Sequence, residues 1–422
     1  MNILVLNAGS SSFKSSLYRL SKEVSISDSA VPLWTGQIDW NSSKIAVFKI
    51  QKLDNSAEPT SNTVSVREER SGTTRSADIE YLLSLLWSGK TQVISGIEEI
   101  DIVGHRVVHG GDKYIQPTLI NPEVKAEIDR LSIFAPLHNP ANLMGINAIQ
   151  SLSPNLPQMA VFDTAFYGDL PEVAYVYPVP YQWLEQGIRK YGFHGISHQY
   201  CAQRAAQLLG RDLAELRLIS CHLGNGCSLA AIKFGRCIDT TMGFTPLDGL
   251  MMGTRCGSID PGIILHLLRE GEYTVTELDR ILNSESGLLG VSGVSNDLRE
   301  IDKAIELGNT RAKLALDIYI DRLAAKIAAF LPNLGGVDGL IFTAGVGENN
   351  AKIRAAVAAK LAFLGIEIDL TLNTTPEACA SSSNDRDLAV AQSQVRLLVI
   401  HTQEEWQIAQ ACYQFYIQQV RS

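Results

Sequence analysis

The feature that most constrains this chain is a local pattern of strand, glycine-rich loop and strand that occurs at two distant places. The apolar residues 3–6 lead into NAGSSS and then FKSSLYRL, and residues 218–221 lead into HLGNG and then CSLAAIKFG. Aligning the two segments puts Gly9 and Gly224 at equivalent positions. The pattern predicts either a duplicated fold or two unrelated β-hairpins, because glycine-rich hairpins are common.

A third segment favours the duplicated fold over two unrelated hairpins. DGLIFTAGVGENN runs from an apolar strand through Gly345 and Gly347 into a helix that Asn350 caps and Gly365 ends. A strand, a glycine loop and a helix N-terminus together form a cradle for phosphate or ribose. The sequence therefore predicts such a cradle in this segment.

Helical segments alternate with these strands, which predicts a layered α/β fold. SHQYCAQRAAQLLG predicts a helix from a Ser197 cap to Gly210, and DPGIILHLLREG predicts one with Asp260 as its cap and Pro261 at its first position. Residues 311–331 predict a longer helix. Its apolar stripe is expected in the core and consists of Leu316, Ile320, Leu323, Ile327 and Phe330.

At 422 residues the chain is too long for one ordinary core, so we expect two domains of roughly 200 residues. The strand-like MAVFD gives way to the proline-rich LPEVAYVYPVP near residue 165. We predict domains at residues 1–165 and 166–402, with a C-terminal helix at about 403–422 packing back on the first. Ligands are expected in the cleft between the domains. The polar stretches 53–77 and 380–387 are expected on the surface, without chemistry.

Charge and cysteine usage disfavour several classes of protein. The net charge is −9 and there is no lysine or arginine block, which disfavours a nucleic-acid partner. No apolar stretch approaches the roughly 18 residues of a membrane helix, and the N-terminal run lacks the flank and cleavage site of a signal peptide. Seven cysteines without a CxxC pair indicate reduced thiols. We therefore expect a cytoplasmic protein that binds neither nucleic acid nor a membrane.

Two arginines are candidates for binding an anion. In IDIVGHRVVHGGD, strand alternation predicts that Arg106 and Val108 share a face. A cation beside a small apolar side chain suits a small carboxylate, although a strand arginine paired with a structural acid would show the same pattern. Arg255, in the glycine-punctuated GFTPLDGLMMGTRCGSIDPG, is either a phosphoryl clamp or a loop arginine that caps carbonyl groups.

His138, Asp163 and His194 are single polar residues in apolar or turn surroundings. A lone histidine is more often a satisfied core residue than a catalyst. The HRVVH and HGISH segments have a zinc-like spacing, but neither encloses the glutamate of HExxH, so zinc is disfavoured.

The chain resembles the acetate kinase family in a series of motifs that spans nearly all of it: NAGSSSFK, GHRVVHGG, PLHNPAN, VFDTAF, YGFHGISH, HLGNG, PLDGLMMGTR, FTAGVGEN and TQEE. Long motifs in one fixed order are far more specific than an isolated glycine pattern. The resemblance implies reversible transfer of the ATP γ-phosphoryl group to acetate by direct in-line displacement. It also implies two duplicated RNase H-like domains, as in actin, sugar kinases and heat-shock ATPases. The first would serve the acyl substrate, and the second would bind nucleotide and form a homodimer.

The resemblance also implies the ligands of ATP and its metal. A site for Mg²⁺, with Mn²⁺ as a substitute, is assigned to Asn7 and Glu404. The phosphates are assigned to Lys14 and the HLGNG loop, which is His222, Leu223, Gly224, Asn225 and Gly226. The nucleoside is assigned to Asp297, Leu298, Arg299, Gly345, Val346, Gly347, Glu348 and Asn349.

By the same resemblance, Arg106 and Arg255 hold the acyl substrate and the transferring phosphoryl group. His194 binds the equatorial oxygens of that phosphoryl group in the transition state. His138 assists, and Asp163 lies at the centre of catalysis. The walls of the methyl pocket are Val108, Leu137, Phe193 and Pro246. A carboxylic acid with a pKa of roughly 4 to 5 is already ionised at neutral pH, so no general base is needed. We therefore expect Asp163 to orient an arginine or a metal-bound water rather than to remove a proton.

Departures from the family pattern leave alternatives open. DTAFYGDLP lacks the usual histidine after DTAF, CGSIDP replaces an SGDIDP-like segment beside Arg255, and HTQEE replaces a TNEE-like ending. A propionate kinase is the nearest alternative, because one methylene changes binding in an apolar pocket by only about 1 to 3 kcal/mol. Val108 argues against it, since a branched side chain shortens the pocket. A nucleotide-switched binding protein is the alternative from another class.

Overall fold

The computed structural model describes residues 1–9, 11–21, 30–40, 45–53, 64–136, 138–375 and 385–421. Contacts divide the chain into two compact units, which are unit 1 (Met1–Ala165 with Gln403–Ser422) and unit 2 (Phe166–Thr402). Across the described ranges, none of the helices combines the length and the apolar character that a membrane-spanning segment requires. The predicted pocket residue Leu137 lies outside the described residues, as do residues 54–63 and 380–384 of the polar stretches.

Strands and helices alternate along both units. The strands are β1 (Asn2–Ala8), β2 (Ser12–Arg19), β3 (Trp34–Trp40), β4 (Ile45–Lys52), β5 (Val64–Ser71), β6 (Ile102–Val107), β7 (Thr118–Leu119), β8 (Gln158–Phe162), β9 (Arg217–Leu223), β10 (Cys227–Lys233), β11 (Arg236–Thr240), β12 (Gly339–Thr343), β13 (Arg386–Asp387) and β14 (Arg396–Val399). The helices are α1 (Arg75–Ser84), α2 (Pro122–Arg130), α3 (Asn139–Leu152), α4 (Glu172–Tyr175), α5 (Gln182–Glu185), α6 (Gly195–Leu209), α7 (Pro261–Glu270), α8 (Val275–Ser284), α9 (Gly287–Ser292), α10 (Leu298–Glu306), α11 (Thr310–Ala329), α12 (Leu331–Leu334), α13 (Ala344–Asn349), α14 (Ala351–Lys360), α15 (Leu370–Thr374) and α16 (Glu404–Arg421).

Each unit is built on a mixed sheet with an equivalent strand order. Unit 1 has the order β5-β4-β3-β2-β1-β6-β8-β7, and unit 2 has the order β11-β10-β9-β12-β14-β13. The β1–β2 and β9–β10 pairs are antiparallel, whereas β1, β6 and β8 run parallel, as do β9, β12 and β14. Within the described residues, every strand of the unit 2 sheet has a counterpart in unit 1. The predicted α/β fold of two duplicated RNase H-like domains is confirmed.

The repeated glycines lie at the same place in the two sheets. Gly9 follows β1 and Gly224 follows β9, and each donates its backbone N–H across the hairpin turn, to Ser12 O at 2.7 Å and to Gly226 O at 3.0 Å. Both turns therefore stand at the carboxyl end of the first strand of a parallel set. In open α/β sheets this end is where ligands bind.

Unit 1 covers its sheet on both faces. On one face, Leu6 of β1 and Phe13 of β2 belong to a buried cluster that also contains Leu82 of α1 and Ile149 of α3. On the other face, α16 packs against β1 and β6. A Cβ atom at Gly104 of β6 would lie 2.6 Å from Ile408 Cγ2, so a glycine is needed for this close approach. The return of α16 places Glu404, its first residue, in unit 1.

Several predicted caps are confirmed. The Asp260 side chain caps α7, Asn350 caps α14, and Gly210 ends α6 in a left-handed conformation. In the predicted stripe, Leu323, Ile327 and Phe330 are buried. Leu316 and Ile320 are only half-buried, which corrects the expectation that the whole stripe lies in the core.

Two predicted boundaries are wrong. The helix α6 begins at Gly195, because His194 takes the N-cap position in a left-handed conformation (φ 59°), and Ser197 lies inside the first turn. The helix α14 ends at Lys360, and Gly365 ends the separate 3-10 turn Ala362–Leu364. The polar stretches also contain two strands, β5 and β13, which lie at the edges of the two sheets. In β5, half-buried residues alternate with exposed ones, as is typical of a strand with one face against the protein.

His105, on β6 of unit 1, is buried with Nε2 at 2.8 Å from Gln158 Oε1. Burial lowers its pKa from 6.5 to about 4, although the Gln158 contact opposes this shift. The unfolded chain therefore binds a proton that the folded chain excludes, and stability is lost as the pH falls from 6.5 towards 4. At pH 5.5 this histidine should cost about 1.4 kcal/mol of unfolding free energy.

We expect His105→Gln to reduce the loss of stability between pH 7.5 and 5.5 by about 1 kcal/mol relative to the original protein. Urea unfolding of both proteins at the two pH values measures this difference. His266→Gln is the control, because it replaces a histidine whose side chain is exposed. An equal pH dependence in the original protein and His105→Gln would contradict the assignment of a neutral buried imidazole.

Candidate active site

Arg106 and Asp163 are brought together at the carboxyl ends of neighbouring parallel strands. Val107 at the end of β6 pairs with Phe162 at the end of β8. Arg106, which precedes Val107, therefore lies close to Asp163, which follows Phe162. Arg106 Nη2 donates to Asp163 Oδ2 at 2.5 Å, and Arg106 Nε donates to Asp163 Oδ1 at 3.2 Å. Both carboxylate oxygens therefore accept from one guanidinium, which fixes its orientation.

Asn7 and Glu404 complete this cluster. Arg106 Nη1 donates to Asn7 Oδ1 at 3.2 Å, and Glu404 Oε2 lies 3.8 Å from Arg106 Nε. Two carboxylates face one guanidinium, so the cluster of Asn7, Arg106, Asp163 and Glu404 has an excess negative charge. Amide and carboxylate oxygens are the ligands that Mg²⁺ accepts in proteins, so these residues fit a divalent cation.

Burial perturbs both members of the ion pair. It raises the pKa of Asp163 to about 6, an effect that Glu404 increases and Arg106 opposes. Burial disfavours the Arg106 cation as well, but the charges of Asp163 and Glu404 outweigh this and raise its pKa. Arg106 is therefore cationic at neutral pH. Asp163 is ionised above about pH 6 and already accepts two hydrogen bonds, which suits an orienting group better than a base.

Other predicted residues of unit 1 lie near this strand end. Lys14 pairs with Asn7 in the β1–β2 register and is exposed. Val108 is buried just beyond β6, and its backbone N–H donates to Asn142 Oδ1 at 3.1 Å. His138 is half-buried at the N-cap position of α3.

Unit 2 contains a cavity of about 560 Å³ that gathers residues from both of its glycine segments. Its lining consists of Gly224, Asn225, Gly253, Leu288, Asn296, Asp297, Leu298, Arg299, Tyr319, Gly345, Val346, Asn349 and Asn350. Eight of these residues were predicted to contact nucleotide. The predicted residues His222, Leu223, Gly226, Gly347 and Glu348 are not part of this lining.

Local structure explains how two segments present their residues to the cavity. Asp297 caps α10, and its carboxylate accepts from the backbone N–H of Arg299 at 2.9 Å and from Arg299 Nη2 at 2.6 Å. The GVGEN segment was expected to be a loop, but it forms the short helix α13. It turns abruptly from β12 because Ala344 adopts a left-handed conformation (φ 64°).

His194 is held by a chain of hydrogen bonds that sequence reasoning missed. Its Nδ1 lies 2.9 Å from Ser228 Oγ, which lies 2.8 Å from His198 Nε2, and His198 Nδ1 lies 2.8 Å from Ser220 Oγ. Burial keeps the pKa of His198 well below its ordinary value, so this ring is neutral and one nitrogen donates while the other accepts. The His194 ring also stacks on His222, with centroids 4.2 Å apart. These contacts constrain the orientation of the His194 ring and the position of its proton.

Arg255 lies beside His194 and the HLGNG loop. A Cβ atom on Gly226 would lie 3.3 Å from Arg255 Nη1 and 3.7 Å from His194 Nε2, so the three residues are close together. Arg255 Nη1 donates to Pro246 O at 3.3 Å and contacts Met252 Sδ at 3.9 Å, both neutral acceptors. Burial lowers the pKa of Arg255. Within the described parts of the chain, Arg255 forms no ion pair with a carboxylate.

A buried cation without a carboxylate partner is costly, and a bound anion would relieve that cost. The Arg255 surroundings therefore suit a phosphoryl or carboxylate oxygen. Phe193, a predicted pocket residue, is buried directly before His194. The cavity residues Gly253, Leu288, Asn296 and Tyr319 were not predicted to bind nucleotide. Leu288 and Tyr319 lie in helices whose apolar patterns resemble ordinary packing, and Gly253 and Asn296 lie in loops.

This chain is similar to known proteins over nearly its whole length. A model of the acetokinase family matches residues 2–410. An acetate kinase of Gloeobacter violaceus is 58% identical over 418 residues, which cover 98% of this chain and 99% of that protein. The crystal structure of Porphyromonas gingivalis acetate kinase has a TM-score of 0.85 at 40% identity, covering 97% of this chain and 98% of that one. A propionate kinase from Francisella tularensis has a TM-score of 0.85 at 37% identity with the same coverage.

The family resemblance seen in the motifs is thus confirmed over nearly the whole chain, and the chain belongs to the acetokinase family.

Proposed function

We propose that this protein is an acetate kinase, which reversibly transfers the γ-phosphoryl group of ATP to acetate and yields acetyl phosphate and ADP. The observation that carries the proposal is Arg255, a largely buried cation with neutral hydrogen-bond partners beside His194 and the HLGNG loop. Such a cation suits charge that spreads over phosphoryl oxygens in the transition state. The relatives named as acetate kinases support the choice of acceptor.

Each unit has its own part in the proposed reaction. In unit 1, Arg106 binds the acetate carboxylate, and Asp163 holds the guanidinium in place. In unit 2, the 560 Å³ cavity takes the nucleoside. The family resemblance assigns the phosphates to the HLGNG residues and to Lys14. Arg255 and His194 stabilise the transferring phosphoryl group, and His138 assists. Acetate is already ionised, so direct in-line displacement requires charge neutralisation rather than a general base.

We further propose that Asn7 and Glu404 hold Mg²⁺, for which Mn²⁺ can substitute. The excess negative charge of the Asn7, Arg106, Asp163 and Glu404 cluster supports this assignment. The bound ion would neutralise phosphate charge and so reduce repulsion between two anionic reactants. Asn7 and Glu404 supply oxygen atoms. Asp163 holds Arg106 through both carboxylate oxygens, and Arg106 Nη1 also donates to Asn7 Oδ1 at 3.2 Å, which leaves the second lone pair of this amide oxygen for the ion.

Trapping of acyl phosphates tests the function. The protein is incubated with Mg-ATP, hydroxylamine and, in turn, formate, acetate, propionate or butyrate, and the acyl hydroxamate is quantified. We expect acetate to give the highest kcat/KM. A higher kcat/KM for propionate than for acetate would favour the second candidate, a propionate kinase. The 37% identical structure, which is named a propionate kinase, is the reason to consider this function. No hydroxamate from any acid would refute acyl phosphorylation.

Val108, with Phe193 and Pro246, is proposed to contact the methyl group of acetate. Truncating the buried Val108 side chain removes two methyl groups and enlarges the space for the acyl chain. We expect Val108→Ala to raise the ratio of kcat/KM for propionate over acetate by about tenfold, since one methylene changes binding by about 1 to 3 kcal/mol. The control is Val107→Ala, which alters a residue packed in the cluster on the other face of β6. An unchanged ratio in Val108→Ala would remove Val108 from the pocket.

We also propose that the protein forms a homodimer through unit 2. The support is α7, a helix rich in isoleucine and leucine in which no residue is buried. Ile263 and Leu265 are 48% and 51% exposed. An apolar helix face that the protomer leaves uncovered is typical of a protein–protein contact.

Replacing Leu265 with glutamate is expected to shift the dimer towards the monomer, because a carboxylate would have to be desolvated in an apolar contact. Analytical ultracentrifugation at several concentrations measures the change. The matched control is Leu307→Glu, which alters a leucine that is 89% exposed at the end of α10 and should leave the dimer intact. A monomer in the original protein, or an equal response to both substitutions, would reject α7 as the contact.

We propose a cytoplasmic location because the cysteines are not paired in disulfide bonds at the described positions. Those at described positions are free thiols, and most are buried, including Cys201, Cys221 and Cys412. Free thiols persist in reducing compartments.

A further inference from the structure

Glu348 belongs to the GVGEN segment, yet it is not among the residues that line the 560 Å³ cavity. Oε1 accepts from the backbone N–H of Ala344 at 2.8 Å and from that of Thr402 at 3.2 Å. Oε2 lies 2.6 Å from His401 Nδ1. This half-buried carboxylate thus joins the start of α13 to residues 401 and 402, close to where the chain leaves unit 2.

The bond to Ala344 acts on a strained position. A non-glycine residue with φ 64° is disfavoured, and such a conformation persists only where neighbouring contacts enforce it. The adjoining residues Gly345 and Val346 line the cavity. The Glu348 carboxylate therefore fixes the backbone turn that presents these two residues to the nucleotide.

A second chain of hydrogen bonds starts at the Thr402 side chain. Thr402 Oγ1 lies 2.8 Å from Ser197 Oγ, and Ser197 Oγ lies 2.8 Å from His222 Nδ1. His222 is the first residue of the HLGNG loop and stacks on His194. Thr402 is therefore linked to the nucleoside segment through its backbone and to the phosphate loop through its side chain.

We propose that Glu348 and Thr402 are positioning residues that hold the GVGEN segment and the HLGNG loop in register and so raise ATP affinity without touching the nucleotide. This inference rests on the proposed function only for the identity of the nucleotide. It differs from the role implied by the family motif, in which Glu348 would contact the nucleoside itself. Neither residue lines the 560 Å³ cavity.

A double-mutant cycle on ATP binding tests the proposal. Thr402→Val removes the hydroxyl but keeps the backbone N–H from which Glu348 accepts a hydrogen bond. Glu348→Gln weakens the charge-assisted contacts of the carboxylate. Calorimetry gives the dissociation constant for Mg-ATP in each protein. We expect each single variant to raise it by about fivefold to tenfold, and the double variant to raise it by clearly less than the product, because both act on one network. The KM for acetate should stay within about twofold of the original in every variant.

Controls separate positioning from general damage. Thr402→Ser keeps the hydroxyl and should retain the original affinity for ATP. If Glu348→Gln does not fold, Ser197→Ala takes its place in the cycle with Thr402→Val, and the same shortfall from the product is expected because both remove one hydrogen bond.

The outcomes distinguish this inference from the proposed function. Unchanged ATP affinity in the single variants, effects that multiply in the double variant, or an equal rise in the KM for acetate would overturn the positioning role. Failure of the original protein to bind ATP would instead overturn the proposed function. Weaker ATP binding in Glu348→Gln with no effect of Thr402→Val would return Glu348 to a direct contact.

Discussion

Replacing Arg255 with alanine should lower kcat for phosphoryl transfer from ATP to acetate by at least about a thousandfold, the scale of an arginine that stabilises a phosphoryl transition state. The structure gives the reason. Arg255 lies at Gly226 beside His194, and in the described parts of the chain its hydrogen-bond acceptors are the neutral Pro246 O and Met252 Sδ. Its charge is therefore available to a reacting anion. Initial rates with the hydroxamate assay measure the loss.

Two further substitutions make this result specific. Arg255→Lys keeps the charge but not the planar fork of donors, so we expect a rate between those of the original and the alanine variant. Arg236→Ala removes an exposed arginine of the β10–β11 hairpin and should leave the rate within about twofold, as for other surface substitutions. If Arg255→Ala kept more than a tenth of the original kcat, Arg255 would not be the phosphoryl clamp.

Asp163→Asn should lower kcat by about a hundredfold or more, although Asp163 is not expected to transfer a proton. The carboxylate accepts from Arg106 at Nε and Nη2. An asparagine offers one oxygen and places an amide N–H against the guanidinium, so Arg106 loses its orientation. Misplacing a group that positions substrate by about 1 Å can cost this much. Steady-state kinetics in acetate and ATP measure the effect.

The Asp163→Asn variant also distinguishes the role proposed for unit 1 from the role proposed for unit 2. The affinity for ATP measured without Mg²⁺ should change little in Asp163→Asn, because the proposed nucleotide cavity is built from unit 2 residues. The control Asp129→Asn alters an exposed carboxylate on α2 and should leave kcat unchanged. A kcat for Asp163→Asn that stays within tenfold of the original would show that Arg106 needs no such orientation.

Local patterns predicted the elements well wherever a residue's own neighbours decide the structure. The two glycine hairpins and the caps at Asp260 and Asn350 follow from short-range hydrogen bonding and appear as expected. The cap at Ser197 was misplaced because His194, three residues earlier, adopts a left-handed conformation, which its neighbours in sequence do not require. The strand β5 looked like a polar surface stretch because its stabilising partner is β4, and pairing at a sheet edge leaves only a weak apolar alternation.

The sequence pointed to the charged residues of the candidate site but not to the hydrogen-bonded side chains that hold them in place. Motif order pointed to Arg106, Asp163, His194 and Arg255, and the structure brings the first two into contact and places the other two beside Gly226. The hydrogen-bonded chain behind His194 depends on which face of β10 is turned towards α6, and single-sequence patterns do not specify this. The GVGEN segment was expected as a loop, and one partner of its Glu348 is Thr402, 54 residues away in sequence, which local patterns do not specify.

Phosphoryl transfer in the reverse direction is the most direct test of the central claim. ³¹P NMR would follow acetyl phosphate and Mg-ADP after addition of the protein, with Arg255→Ala as the matched sample. We expect the acetyl phosphate signal to fall while the three signals of ATP rise in step, and we expect both changes to be abolished in Arg255→Ala. Loss of acetyl phosphate to inorganic phosphate without ATP, or no change at all, would contradict it.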